Sequence, residues 1–174
     1  SLGADYPTVA DSRNNLGHLF ESRGDAKRAE EEYRAAISIY EKSLGADHPD
    51  TATARNNLAN ALYAQGRYAD SETEYREALR VRMATLPSMH PDIGAGRNNI
   101  ALVLYVQEKH DDAIAEYRAA IKVWSESLGA DHPSLGFAHS NLGLAHLALG
   151  EHDDAQREIR RSLAIRTAAL GPEH

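Results

Sequence analysis

A repeat of 42 residues constrains this chain more than any other feature of its sequence. Pro7, Pro49, Pro91 and Pro133 lie 42 residues apart, with no insertion between them. The residues that end at these prolines recur as SLGADYP, SLGADHP, TLPSMHP and SLGADHP, and a triplet of the type NNL follows each proline after the same interval. A fixed period of this length is the signature of a repeat array, because each repeat is one unit that packs against its neighbours.

The pattern within one repeat predicts two helices. Leu58, Ala59 and Leu62 have the spacing of a helical stripe. Pro49 suits the first turn of a helix, and Gly66 suits its end, because a residue in the left-handed conformation often closes a helix. We therefore expect helices over about residues 50–64 and 68–86 in the second repeat. No alternating run of Val, Ile or Thr predicts a strand.

Two helices bury their apolar faces only when neighbouring pairs stack on them, which gives a right-handed α-solenoid. The predicted fold is all-α, with four antiparallel helix-turn-helix units in one array over residues 1–174. The units span about residues 7–44, 49–86, 91–128 and 133–170, and residues 171–174 begin a truncated turn. Gly94 and Gly96 each lower helix stability by about 0.8–1 kcal/mol relative to Ala, so we expect the first helix of the third unit to start late or fray.

The repeated markers resemble the tetratricopeptide repeat. In that motif the first helix carries Leu-Gly and then an aromatic residue, and the second carries small, aromatic and small residues. The first repeat matches with Leu16-Gly17-Phe20 and Ala29-Tyr33-Ala36. The 42-residue period, with LGADHP between repeats and NNL in the first helix, is similar to the kinesin light chain subclass. The Ala- and Arg-rich composition suggests a bacterial protein.

One repeated position departs from that family. It holds Arg13, Arg55, Arg97 and His139, where the family usually has a bulky apolar residue. We expect the Arg stems to pack against neighbouring side chains while their guanidinium groups pair with carboxylates.

Composition and charge argue against several classes of function. The chain has 19 Lys and Arg against 26 Asp and Glu, and its net charge of −7 opposes binding to nucleic acid or to an anionic membrane surface. It has no cysteine, which removes thiolate catalysis, disulfides and Cys-based metal sites. No apolar run approaches the length of about 18 residues that a membrane span needs. We expect a cytoplasmic protein that binds neither nucleic acid nor membranes.

The first helices of such arrays line a concave surface, so residues opposite the core stripe form a candidate peptide-binding groove. Asn side chains recur there, and apolar side chains become more frequent towards the last repeat. Because an amide both donates and accepts hydrogen bonds, this Asn ladder either binds the backbone of a peptide or ties neighbouring first helices together. The candidate groove residues are Asn14, Asn15, Asn56, Asn57, Asn60, Asn98, Asn99, Leu102, Tyr105, Phe137 and Asn141. No Lys or Arg lies at these positions, which disfavours a clamp for a C-terminal carboxylate.

The nine histidines do not indicate a metal site. His48, His90, His132 and His174 share one repeat position, and a row of solenoid repeats spaces them about 10 Å apart, so we interpret them as turn and cap residues. His139 and His146 lie two turns apart on one helix, and we expect no carboxylate partner for them. We predict no metal, no cofactor and no catalytic residue.

The predicted function is a scaffold for protein–protein interaction, not an enzyme, that binds a partner peptide or helix in the groove. The alternative is self-assembly, or a role as a regulatory arm of a larger protein, through the end faces of the solenoid. Ile159 and Leu163 on the last helix favour this alternative, because they offer an apolar face to a second copy.

Overall fold

The computed structural model describes residues 6–170 of the 174-residue chain. These residues form eight α-helices and no strand, as the periodicity predicts. The helices are α1 (Pro7–Ser22), α2 (Ala26–Ser43), α3 (Pro49–Ala64), α4 (Tyr68–Thr85), α5 (Pro91–Val106), α6 (His110–Leu128), α7 (Pro133–Ala148) and α8 (His152–Leu170). The two helices predicted for the second repeat are confirmed in α3 and α4.

Repeated sequence signals set where the first helix of each repeat begins. Each of these helices starts at its proline, and in α3, α5 and α7 the histidine before that proline caps the helix. The Nδ1 atoms of His48, His90 and His132 accept hydrogen bonds of 3.2 Å from backbone N–H groups two residues later. The cap prediction is therefore confirmed for these three histidines, and His174 lies outside the described residues.

A residue in the left-handed conformation lies in the turn between the two helices of every repeat. Gly24, Gly66 and Gly150 have φ values of +76°, +75° and +76°. Glu108 takes their place in the third repeat with φ of +62°, although a side chain in this conformation costs roughly 1–2 kcal/mol.

The chain divides into two compact units between Thr85 and Leu86, with α1–α4 in the first and α5–α8 in the second. In the first unit α2 packs against both α1 and α3, and in the second α6 packs against both α5 and α7. Tyr33 of α2 reaches Glu21 near the end of α1, whereas Tyr40 of α2 reaches Asp11 near its start, so α1 and α2 are antiparallel. One array over residues 1–174 stays a prediction, and its truncated turn at 171–174 lies outside the described residues.

Each unit has its own apolar core, which both of its hairpins build. In the first unit, Ile37 of α2 clusters with Leu58 and Leu62 of α3, and all three are at most 7% exposed. In the second unit, Trp124 of α6 and Leu135 of α7 lie in one cluster with a buried residue of α8. Full burial of one such side chain contributes about 1.5–3 kcal/mol, so packing between hairpins is a major source of stability.

The prediction for the first helix of the third repeat was wrong. Helix α5 begins at Pro91, at the same repeat position as the other first helices. Gly94 gives Trp124 the space to pack there, because a Cβ atom on Gly94 would lie 2.6 Å from Nε1 of the indole. The same Nε1 donates a hydrogen bond of 3.0 Å to the Pro91 carbonyl oxygen. The buried indole offsets the low helix propensity of glycine, and a period-based prediction does not include that contact.

A contact with a glutamate joins the two helices of every hairpin at the same register, as an arginine–glutamate ion pair in the first three repeats and a histidine–glutamate hydrogen bond in the fourth. The carboxylate lies 19 residues after its partner in all four repeats, and the prediction that the guanidinium groups find carboxylates is confirmed. The pairs are Arg13–Glu32 at 2.8 Å, Arg55–Glu74 at 2.6 Å, Arg97–Glu116 at 2.8 Å and His139–Glu158 at 2.7 Å.

Candidate partner-binding faces

The candidate groove residues of the first unit are mostly engaged by their own chain. Asn57 of α3 is only 6% exposed, and its Nδ2 donates a hydrogen bond of 3.0 Å to Oδ1 of Asn14 on α1. The same Nδ2 lies 3.2 Å from Nε2 of His18. This contact joins the first helices of neighbouring repeats. For Asn14 and Asn57, the structure therefore supports the interpretation of the ladder as a tie between helices.

Two more amides of α3 have partners on α4. The hydroxyl of Tyr75 donates to Oδ1 of Asn60, and Nη1 of Arg82 donates to Oδ1 of Asn56 at 3.3 Å. Burial raises the pKa of Tyr75, so this phenol stays a neutral donor. Asn15, by contrast, is exposed on α1.

The candidate residues on α5 are half-buried in the second unit. They are Asn98, Asn99, Leu102 and Tyr105. The ring of Tyr105 lies 5.3 Å from the ring of His110. The Oδ1 atom of Asn98 is buried, and among residues 6–170 it has no hydrogen-bond partner. The equivalent oxygen of Asn14 accepts from Asn57, so the amide tie of the first unit is not repeated at Asn98.

Helix α7 exposes an apolar stripe, which we call the α7 stripe. Phe137 is 61% exposed, Leu144 is 42% exposed and Leu147 is 48% exposed. Asn141 is half-buried and lies four residues after Phe137 and three before Leu144. Residues at this spacing share one helix face, so the amide of Asn141 lies between two apolar side chains.

A cation from α8 reaches one end of the α7 stripe. The guanidinium carbon of Arg166 lies 4.5 Å from the ring centroid of Phe137, within the range of a cation–π interaction. Nε of Arg166 is buried, and the described part of the chain offers it no hydrogen-bond partner. A small apolar cavity of about 150 Å³ lies beside the pair, and Pro133 and Ala169 complete its lining.

The sequence prediction missed these cations, because they do not come from the first helices. Arg82 and Arg166 lie on second helices, at a repeat position that holds Tyr40 and Trp124 in the other two repeats. Both arginines reach residues of the predicted groove. The sequence signal that could have revealed these two arginines is their spacing of 84 residues, which is twice the period.

The prediction that His139 and His146 have no carboxylate partner was wrong. Nδ1 of His139 lies 2.7 Å from Oε2 of Glu158, and Nδ1 of His146 lies 2.5 Å from Oε2 of Glu151. The carboxylates come from α8 and from the turn before it, so spacing within α7 does not reveal them. His146 and Glu151, with Asp154, each present one ligand atom, and these atoms lie within 4.8 Å of one another.

Comparison with known proteins establishes the family. The model of the tetratricopeptide repeat matches residues 8–84 and 92–174, so the chain belongs to the tetratricopeptide repeat family. This family is generally a non-enzymatic fold for protein–protein interaction, and the coarse function of the chain is that of an interaction scaffold. No curated protein sequence matches the chain. Within residues 6–170, no helix combines the length and the apolar character needed to cross a bilayer.

Several solved structures share the fold. BtubC (BKLC) from P. vanneervenii has a TM-score of 0.88 and 23% identity, over 97% of this chain and 68% of its own. A protein of Podosopora anserina, described as a kinesin light chain with nearly identical TPR-like repeats, has a TM-score of 0.84 and 22% identity, over 97% and 80%. Aspartyl phosphate phosphatase F from Bacillus subtilis has a TM-score of 0.82 and 21% identity, over 95% and 42%. The tetratricopeptide fold and its likeness to kinesin light chain-type repeats are thus confirmed.

Proposed function

We propose that the chain binds a partner peptide or helix on its first helices, with the α7 stripe as the main anchor site. The exposed side chains of Phe137, Leu144 and Leu147 carry this proposal. Apolar side chains that cluster on a surface mark interaction sites, and a few apolar or aromatic anchors supply most of the binding energy at such sites. The partner we expect therefore carries an apolar or aromatic side chain that packs between Phe137 and Leu144.

Polar groups beside the α7 stripe favour particular features of the partner. The amide of Asn141 lies between the apolar side chains and can both donate to and accept from a peptide backbone. Arg166 adds a positive charge at the Phe137 end, which favours an acidic side chain or a terminal carboxylate next to the anchor. Asn57 and Asn60 are less suited to bind a partner, because Asn14 and Tyr75 already engage them.

A peptide-library selection against the full chain, followed by affinity measurements, tests the proposal. Leu144→Glu places a charge in the middle of the α7 stripe, and we expect it to weaken binding of the selected peptides at least tenfold, which corresponds to about 1.4 kcal/mol. Leu163→Glu is the matched control. It changes a side chain of α8 that is 64% exposed and lies outside the α7 stripe, so affinity should stay unchanged.

Two results would contradict the proposal. One is a selection that enriches no peptide with a shared apolar anchor. The other is equal affinity of the enriched peptides for the wild type and for Leu144→Glu. Circular dichroism of both variants verifies that helicity is kept.

A second candidate function is self-association through the last hairpin. Ile159 is 42% exposed and Leu163 is 64% exposed, whereas Tyr33 and Ile37, the equivalent residues of the first repeat, are buried. Ile37 lies in one core cluster with Leu58 of the next first helix. A second copy of the chain would give Ile159 and Leu163 a similar contact.

The cytoplasmic location and the bacterial origin stay predictions.

A further inference from the structure

A buried histidine occupies a core position in the fourth repeat. His146 is 2% exposed, whereas the equivalent positions hold Leu62 at 0% and Leu104 at 1% exposure. An imidazole in place of a core leucine costs free energy unless its nitrogen atoms have partners. The groups that surround His146 therefore explain why this side chain is tolerated.

A repeated backbone contact brings the main partner to His146. In every turn between the two helices of a repeat, the residue after the left-handed position donates its N–H to the carbonyl five residues earlier. The contacts are Asp25 to Phe20 at 2.9 Å, and Arg67 to Leu62, Lys109 to Leu104 and Glu151 to His146 at 3.0 Å each. The turn places the same two positions together in each hairpin, and in the fourth hairpin they are a carboxylate and an imidazole.

Among the residues that the structure describes, three metal-ligating side chains come together only in the fourth hairpin. The first has Phe20, Asp25 and Arg28 at these positions, the second Leu62, Arg67 and Asp70, and the third Leu104, Lys109 and Asp112. In the fourth, one imidazole nitrogen of His146 and one carboxylate oxygen each of Glu151 and Asp154 lie within 4.8 Å of one another. Small adjustments of these side chains would bring all three atoms to bonding distance of one ion, about 2.0–2.2 Å.

We propose that His146, Glu151 and Asp154 form a binding site for a divalent transition metal of the Zn²⁺ class. One imidazole nitrogen with two carboxylate oxygens suits Zn²⁺, whereas Mg²⁺ and Ca²⁺ prefer oxygen ligands alone. The buried imidazole supplies a fixed ligand, and the more exposed carboxylate of Glu151 leaves a path for the ion and for water at the fourth position.

Two guanidinium groups set the expected strength of this site. Arg157 pairs with Asp154, and Nη2 of Arg118 lies 3.5 Å from Nε2 of His146. A bound cation shares Asp154 with Arg157 and is repelled by both guanidinium groups. We therefore expect micromolar affinity, weaker than that of a structural zinc site with four ligands.

Titration of the full chain with ZnCl₂ by isothermal calorimetry tests the proposal, in a buffer that does not chelate zinc and near neutral pH. We expect one Zn²⁺ per chain in the micromolar range, a rise in the midpoint of thermal unfolding with Zn²⁺, and no comparable response to MgCl₂. His146→Leu restores the residue that two other repeats bury at this position, so the fold should be retained. This variant should bind Zn²⁺ at least tenfold more weakly.

A second variant and a control distinguish Zn²⁺ binding at this site from Zn²⁺ binding at other histidines. Glu151→Lys introduces the residue of the third repeat and should also weaken Zn²⁺ binding at least tenfold, which keeps the test valid if His146→Leu loses helicity. His139→Arg removes a different histidine and introduces the residue found at that position in the other three repeats, so Zn²⁺ affinity should not change. Absence of binding to the wild type, or equal affinity of the wild type and Glu151→Lys, would overturn the proposal and leave His146 and Glu151 as a hydrogen-bonded pair only.

Discussion

At the scale of the residue, Glu108 has a backbone conformation that glycine has in the other three repeats. Its φ is +62°, in the left-handed region where a Cβ atom is unfavourable. We expect Glu108→Gly to raise the free energy of unfolding by about 1 kcal/mol, because relief of this strain exceeds the added entropy of glycine in the unfolded chain. Urea denaturation measures the change.

The reciprocal variant is the control for Glu108. Gly150→Glu places the same side chain in the equivalent turn of the fourth repeat and should lower the free energy of unfolding by a similar amount. A neutral or destabilising effect of Glu108→Gly would show that the glutamate side chain makes a contact that outweighs the strain.

Residue-scale features could be predicted from the sequence where they are local. The histidine caps involve backbone groups two residues away, and the 42-residue period marks Glu108 as the exception among glycines. Contacts between helices were predicted less well. The sequence predicted that Arg55 pairs with a carboxylate. It did not predict the partner of His139, because that carboxylate lies 19 residues away on another helix, where a helical wheel of α7 gives no information.

At the scale of the element, Arg55 connects three helices of the first unit. Its guanidinium lies 2.6 Å from Glu74 on α4 and 2.5 Å from Glu41 on α2, and its side chain is 19% exposed. Burial alone would lower the pKa of Arg55, but the two carboxylates raise it above its ordinary value. The guanidinium thus remains charged, and its loss leaves two carboxylates without their shared partner.

We expect Arg55→Met to lower the free energy of unfolding by about 1–3 kcal/mol, since it breaks a partly buried network. Arg13→Met is the matched control, because Arg13 has the same repeat position, makes one pair with Glu32 and is 44% exposed. Its effect should stay below about 1 kcal/mol. Thermal and urea unfolding of both variants measure the difference, and equal losses would show that the link between hairpins adds nothing.

Glu30 of α2 makes the first unit sensitive to acid. Burial alone would raise the pKa of Glu30, but hydrogen bonds from Gln65, Arg34 and Arg67 lower it below its ordinary value of 4.5. A carboxyl with a depressed pKa in the folded state stabilises the fold above its unfolded pKa, and the stabilisation is lost as the pH falls through the folded pKa.

Glu30→Gln should therefore lower the free energy of unfolding near pH 7 by about 1 kcal/mol, and this difference should be lost as the pH falls below 4.5 and through the lowered pKa of Glu30. Urea denaturation across this pH range measures it. Glu31→Gln removes the same charge from an exposed position on the same helix and should change stability little at any pH. A constant difference for Glu30→Gln across the whole range would contradict a role of its ionisation.

The helices themselves were largely predictable, since period, proline and glycine act within one segment. The packing of α5 was not, because Gly94 looks like a weak point until Trp124 is placed over it. The same distinction, between features within one helix and contacts between helices, applies to the candidate site. The exposed residues of α7 follow from its own periodicity, whereas Arg166 reaches them from α8.

At the scale of the whole molecule, the net charge of −7 opposes association while Leu163 favours it. Repulsion between copies falls as the pH approaches the isoelectric point of about 5.7. We expect the weight-average mass in sedimentation to rise with concentration, and to rise more near pH 5.7 than near pH 7.5.

Leu163→Glu tests which surface is responsible for this association. The variant adds a charge to the apolar face of α8 and should keep the chain monomeric over the same concentrations. Leu144→Glu adds the same charge to the α7 stripe, and this variant should still associate like the wild type. If both variants associate like the wild type, or if the wild type is a strict monomer, the last hairpin does not mediate self-association.

The turn that joins the helices of each repeat has a consequence for how such chains acquire new chemistry. It holds two positions together by one backbone hydrogen bond, whichever side chains they carry. Exchanging those two side chains alters the local chemistry while the backbone stays as it is. Each turn can therefore acquire a new pair of side chains, as His146 and Glu151 show in the fourth repeat, provided that the first of the two still packs in the core.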